Sequence, residues 1–189
     1  MKYAETKDRL SQLHKEMETL REEIVKVRRA AEPQEMTDYA FTRSTGETAV
    51  WQDLFGTKDD LIVIHNMGRG CSYCTLWADG FNGVYPHLAN RAAFAVVSPD
   101  KPEVQSEFAA TRGWRFPMIT YRGTKLAEDT GYGGDGSYWP GVSVFQKLGG
   151  KVLRVTDTAF EPGDLYCGVW HIFDLLPGGT AGWQPKLKY

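Results

Sequence analysis

Cys71 and Cys74 stand three residues apart in Gly68-Arg69-Gly70-Cys71-Ser72-Tyr73-Cys74-Thr75, shortly after the apolar run Leu61-Ile62-Val63-Ile64. A buried strand that ends in a glycine-rich turn and opens a helix on Cys-x-x-Cys is the usual setting for dithiol chemistry. Two cysteines at that spacing lie on one helical face, close enough to close a disulfide. The unpaired N–H groups and positive dipole end of the helix favour a thiolate on the first of them. Arg69 adds a positive charge nearby. Cys71 therefore reads as the exposed attacking thiol and Cys74 as the more buried resolving thiol.

Such a pair needs a strand before it and a helix after it. Leu61 to His65 supplies the strand, and a helix is predicted from the cysteines through Leu76 and Trp77 towards Leu88, kinked or broken at Pro86. Ala92-Ala93-Phe94-Ala95-Val96-Val97 suits a central parallel strand. Residues 102–112 follow as a helix, with Pro102 at its start and Gly113 past its end. Phe116 to Thr120 is short and extended, and Val142-Ser143-Val144-Phe145 with Val152-Leu153-Arg154-Val155 forms a hairpin across Gly149-Gly150. An earlier hairpin spans Tyr39 to Trp51 around Gly46, and a last helix is expected over residues 164–176. Strand, helix, strand, helix, then hairpin and helix predicts α/β architecture: a central mixed sheet with helices on both faces.

Ahead of that body, residues 6–29 hold no Gly or Pro and are rich in Glu, Lys, Arg and Leu. Tyr3, Leu10, Leu13, Met17, Leu20, Ile24 and Val27 follow a seven-residue a/d repeat that only Thr6 breaks. The pattern fits a helix packed along its own domain or one paired with a second copy as a homodimer. Residues 1–32 are thus read as a charged N-terminal helix, 33–38 as a linker, and 39–189 as the α/β domain.

The 189 residues are 42% hydrophobic and 13% aromatic, enough for a sizeable core. A formal net charge of −2 and the lack of a polybasic block argue against nucleic-acid or membrane-surface partners. Apolar runs are too short for a membrane span, and the charged start does not read as a signal peptide. Three cysteines with one close pair do not make a secreted disulfide framework, so a reducing cytoplasm is expected.

The element order with Cys-x-x-Cys between the first core strand and its helix resembles the thioredoxin fold. The resemblance narrows on Cys71-Ser72-Tyr73-Cys74-Thr75-Leu76-Trp77-Ala78-Asp79-Gly80-Phe81-Asn82-Gly83, His87-Leu88, Gly113-Trp114-Arg115-Phe116-Pro117 and Pro140-Gly141-Val142-Ser143-Val144-Phe145. These look like the thioredoxin-like family called domain of unknown function 899, described as predicted dithiol–disulfide oxidoreductases. The resemblance implies a cis Trp139–Pro140 bond, with Pro140 lying against the cysteines and its backbone open to an extended substrate; the plainer role is a proline at the start of a strand. His65 precedes Cys71 by six residues, where thioredoxins commonly hold a buried acid. A neutral imidazole there could accept the Cys74 proton; the plainer role is a strand-end histidine bonded to a carbonyl.

The implied reaction is thiol–disulfide exchange with a protein or small-molecule disulfide, recharged by an external thiol and needing no cofactor. Trp139, Tyr73, Arg69 and Trp77 are candidate substrate contacts; Tyr138 and Trp139 with Tyr73 and Trp77 could form an aromatic rim, though each is more often simple packing. A peroxidase is the closest rival, since Gly46-Glu47-Thr48, Asp53-Leu54-Phe55 and Phe116-Pro117-Met118 resemble peroxiredoxins. Its Pro-x-x-x-Thr-x-x-Cys loop is missing: counting back from Cys71 gives Gly68 and Ile64. A zinc-binding module would draw on Cys71, Cys74, Cys167 and His171, and a non-catalytic interaction protein would work through the N-terminal helix with a vestigial dithiol. Gly131 to Gly136 matches Gly-x-Gly-x-x-Gly, but a strand follows it, so it reads as a flexible loop.

Overall fold

The computed structural model describes residues 3–189. In chain order, α1 (Tyr3–Ala30) leads to β1 (Gln34–Glu35), the hairpin β2 (Phe41–Arg43) and β3 (Thr48–Ala49), α2 (Trp51–Phe55), β4 (Asp60–His65) and α3 (Ser72–Arg91). There follow β5 (Ala93–Ser98), α4 (Pro102–Arg112), β6 (Met118–Thr120), α5 (Leu126–Thr130), the ribbon β7 (Gly133–Gly134) and β8 (Ser137–Tyr138), β9 (Gly141–Leu148), β10 (Lys151–Ala159) and α6 (Gly168–Phe173).

One mixed sheet runs β1-β10-β9-β4-β5-β6-β2-β3. The continuous apolar strands β4, β5 and β6 are parallel, while β9 runs antiparallel to β4 and β10 antiparallel to β9. Strand alternation splits the apolar residues between two faces. Leu61 and Val63 join Phe41, Trp51, Phe55 and Phe145 on one face, whereas Ile64, Phe94 and Val96 meet Trp77 and Ala78 of α3 on the other. Between α3 and β10 an apolar cavity of about 250 Å³ remains, with Arg28 beside Thr156 and Asp157 at its edge.

Four expectations are corrected. The stretch 33–38 is not a plain linker: β1 pairs antiparallel with β10, and the buried Met36 donates its N–H to the Val152 carbonyl at 2.8 Å. Pro86 does not break α3, which continues to Arg91. Proline lacks the N–H that would reach the Asn82 carbonyl one turn back, and the Arg115 guanidinium donates to that carbonyl instead at 3.0 Å. Asn82 also accepts the Arg115 N–H at 2.9 Å and donates to the Gly113 carbonyl, so α3 is pinned to the loop after α4. The last helix spans only Gly168–Phe173. The Asp164 carboxylate takes the N–H groups of Glu161 and Tyr166, a local turn that competes with helix. Residues 131–136 are no loose loop but lead through β7 into a tight turn, with Asp135 at φ 51° and Gly136 at φ 78°. Gly113, at φ 66°, closes α4 in the left-handed conformation expected of it.

Candidate active site

β4 delivers the chain to the cysteines through a turn held on both sides. The Asn66 N–H donates to the Val97 carbonyl at 2.9 Å, and its side-chain oxygen accepts the Gly68 N–H at 2.8 Å. Across the turn, the Asp100 carboxylate accepts the Arg69 N–H at 2.7 Å. Gly68 has φ 104°, and a Cβ there would stand 3.0 Å from an Asp100 carboxylate oxygen. Both backbone and space therefore require glycine at this position.

Cys71 is the N-cap of α3, in extended conformation at φ −90° and ψ 105°. Its Sγ accepts the Cys74 N–H at 3.0 Å, so one of the helix's unpaired donors points at sulfur. Thr75 donates twice to the Cys71 carbonyl, from its N–H at 3.0 Å and its hydroxyl at 2.9 Å. Cys71 and Cys74 form a disulfide with Cα atoms 5.2 Å apart. Access is unequal: Cys71 is half-buried, whereas Cys74 is 2% exposed. Of the two, Cys71 is the cysteine open to solvent.

His65 ends β4 on the face opposite α3, because it shares the parity of Leu61 and Val63 rather than of Ile64. Its ring is fully buried. Nδ1 pairs with the Tyr121 hydroxyl, and Nε2 lies 2.8 Å from Ser143 Oγ. Tyr132 stacks on the ring at 3.9 Å and 4°. Burial, helped by the positive charge of Arg154, pushes the His65 pKa down to about 3, so the ring is neutral at physiological pH. Burial likewise holds the Tyr121 hydroxyl protonated; the neutral ring donates from one nitrogen and accepts at the other, and both Tyr121 and Ser143 can take either role. Both ring nitrogens are thus engaged within the core.

Pro140 sits immediately before Gly141, the register partner of His65, at the sheet end that carries the cysteine turn. The Trp139–Pro140 bond is trans, since the described residues contain no cis peptide, and this corrects the cis expectation. The chain here runs straight from β8 into β9. Trp139 donates its N–H to the Tyr132 carbonyl, Pro140 accepts from the Phe160 N–H, both at 3.0 Å, and no tight turn demands the rarer isomer. Gly141 has no room for a side chain, since a Cβ would lie 2.7 Å from the Thr158 carbonyl and deep in the Tyr132 ring.

The other candidates separate by burial. Trp139 is 60% exposed, and Arg69 is exposed in the turn. Tyr73 is half-buried and stacks on Trp170 at 6.1 Å, and Tyr138 stacks on Tyr121. Trp77 is core: it is buried, packs 5.4 Å from Phe160 and donates to Asp164. Cys167 is buried and free, with burial pushing its thiol pKa up. His171 Nε2 bonds the Asp164 carbonyl at 3.0 Å. Among the described residues no group of three His, Cys, Asp or Glu side chains is placed to hold a metal.

Sequence reasoning passed over Asn66, Asp100, Tyr121, Tyr132 and Ser143. Asn66 was findable as a turn-forming residue directly after a strand. Asp100 and the two tyrosines reach the site only through tertiary contacts.

The chain belongs to a family of bacterial proteins of unknown function (DUF899), whose model matches residues 1–186. Among solved structures it is similar to the peroxidoxin BcpB of Mycobacterium tuberculosis, at 20% identity and a TM-score of 0.56, over 67% of this chain and 84% of that one. A peroxiredoxin-like protein from Aquifex aeolicus gives 16% identity and a TM-score of 0.54, over 67% and 74%. An uncharacterized conserved protein from Geobacillus kaustophilus gives 12% and 0.55, over 82% and 85%. No curated protein matches the chain. At these identities the likeness shows a thioredoxin-like fold. Among the described residues no helix is long and apolar enough to cross a membrane.

Proposed function

We propose that this member of the family is a thiol–disulfide oxidoreductase that works through Cys71 and Cys74. The observation that carries the reading is the asymmetric pair itself: a half-exposed sulfur capping a helix and receiving an N–H, bonded to a buried sulfur one turn on. In the reduced protein the same N–H and the helix end favour a Cys71 thiolate. That thiolate attacks a substrate disulfide, one substrate sulfur leaves as thiolate, and a mixed disulfide forms. Cys74, losing its proton to solvent, then attacks Cys71 sulfur and releases the second substrate thiol. Two electrons pass from the pair to the substrate, and an external thiol reductant restores the dithiol. A reducing compartment such as the cytoplasm suits that cycle.

Trp139 and Arg69, both exposed, are the surfaces assigned to the substrate. Pro140 leads into β9 at the sheet end from which the cysteine turn departs. His65 serves as a positioning residue: it ties β4 to Ser143 of β9 and to Tyr121, fixing the strand end from which the cysteine turn departs. Cys74→Ser protein should accumulate a mixed disulfide with its natural partner, releasable by dithiothreitol. Cys71→Ser should lose reduction of a model disulfide, and full activity in that variant would remove the assignment.

A thiol peroxidase is the second reading, because solved neighbours are peroxiredoxins. The peroxide-binding loop is missing under either alignment. Counted from Cys74, Met67 and Cys71 occupy the Pro and Thr positions. Rapid peroxide consumption with a thiol donor would favour this reading over exchange.

A further inference from the structure

The heptad seam of α1 is left in solvent. Leu10 is 48% exposed, Met17 57%, Leu20 58%, Ile24 47% and Val27 72%, with Leu13 half-buried among them. The helix approaches the sheet near its C-terminal end, where Arg28 lies beside β10. Packing on its own domain therefore does not account for the repeat. A lone helix with its apolar stripe in water lacks the tertiary packing that stabilises most protein helices, and a heptad stripe is covered best by another helix.

The flanking charges select the occupant. With Leu10, Met17 and Ile24 at the a positions, the e column reads Lys7, His14, Arg21 and Arg28, and the g column reads Arg9, Glu16 and Glu23. In a parallel, in-register pair each g residue faces the e residue five positions on in the other helix. Glu16 then meets Arg21, and Glu23 meets Arg28, each twice by symmetry. Arg9 facing His14 is unmatched, so the attraction lies in the C-terminal half. An antiparallel pair would lay the basic e column against itself. We propose that α1 pairs in parallel and in register with α1 of a second copy, giving a two-fold dimer with both redox domains at one end of a short coiled coil.

The pairing is independent of the chemistry at Cys71, and its test reads mass rather than turnover. In sedimentation equilibrium the full chain should weigh two chains. Leu13→Lys/Leu20→Lys should weigh one chain while keeping its thermal transition and disulfide exchange. Arg21→Glu, a change on the exposed face, would set the new carboxylate against Glu16 of the second copy at two places and should raise the dissociation constant roughly tenfold. A wild-type chain of single mass at every concentration overturns the proposal, as does a double-lysine variant that still pairs. Tighter pairing of Arg21→Glu overturns the parallel arrangement, because in an antiparallel pair that carboxylate would meet the basic e column. Should the double-lysine variant unfold, Arg21→Glu decides alone.

Discussion

Replacing His65 with Gln should flatten the acid side of the stability profile. The native ring stays neutral down to a pKa of about 3, while the same histidine unfolded takes up a proton near 6.5. Below 6.5 the unfolded chain binds more protons than the native one, so stability is full above that value and falls as pH drops towards 3. Each pH unit in that window is worth about 1.4 kcal/mol. Between about pH 7.5 and about pH 4.5 the wild type should therefore lose about 3 kcal/mol through this residue. Glutamine can accept from Tyr121 and donate to Ser143 but does not titrate. His65→Gln should start about 2 kcal/mol less stable at neutral pH, through imperfect replacement of two buried hydrogen bonds. It should then lose about 3 kcal/mol less on acidification than the wild type. His14, His87 and His171 are exposed and present in both proteins, so they cancel in the difference. Urea unfolding of the oxidised proteins at both pH values measures it. Parallel pH profiles would refute the buried neutral imidazole. The rate of mixed-disulfide decay should not change, because both ring nitrogens are engaged away from α3; a specific loss of that step would restore the proton-acceptor role.

Gly68→Ala forces a side chain at φ 104° and against Asp100, so it should cost about 1–3 kcal/mol in thermal unfolding and slow attack by Cys71 through a displaced turn. Asp79 pairs with Arg112 and accepts from the indole N–H of buried Trp114 at 2.8 Å. Asp79→Ala should lower stability by about 2 kcal/mol, read as a lower melting temperature with exchange chemistry retained. Trp77→Ala should cost about 3–5 kcal/mol if this ring is core, whereas a change confined to the substrate KM would mark it as a binding surface. Trp139→Ala should do the reverse, raising the KM for a disulfide peptide with little change in melting temperature.

The cysteine pair, the strand before it and the helix after it were legible because each rests on local chemistry: apolar β-branched runs, glycine turns and the two-sulfur spacing. The unequal exposure of Cys71 and Cys74 follows from their places along the helix, since Cys71 caps the open end and Cys74 lies inside the first turn. Pro86 does not break α3 because the carbonyl it leaves without a partner is taken from outside the helix, by a guanidinium 29 residues further along the chain. The last helix was drawn too long because the Asp164 side chain competes for backbone N–H groups that hydropathy does not count.

By itself the sequence determined the Cys71–Cys74 pair, the thioredoxin-like order of elements and the apolar seam of α1. Each of these depends on spacing along one stretch of chain. Only the tertiary structure decided that His65 faces Tyr121, Tyr132 and Ser143, that Asp100 braces the turn before Cys71, and that the α1 seam stays uncovered. Strand parity puts a side chain on one face or the other, but which partners wait there depends on segments 31 to 78 residues distant that meet only when the sheet is assembled.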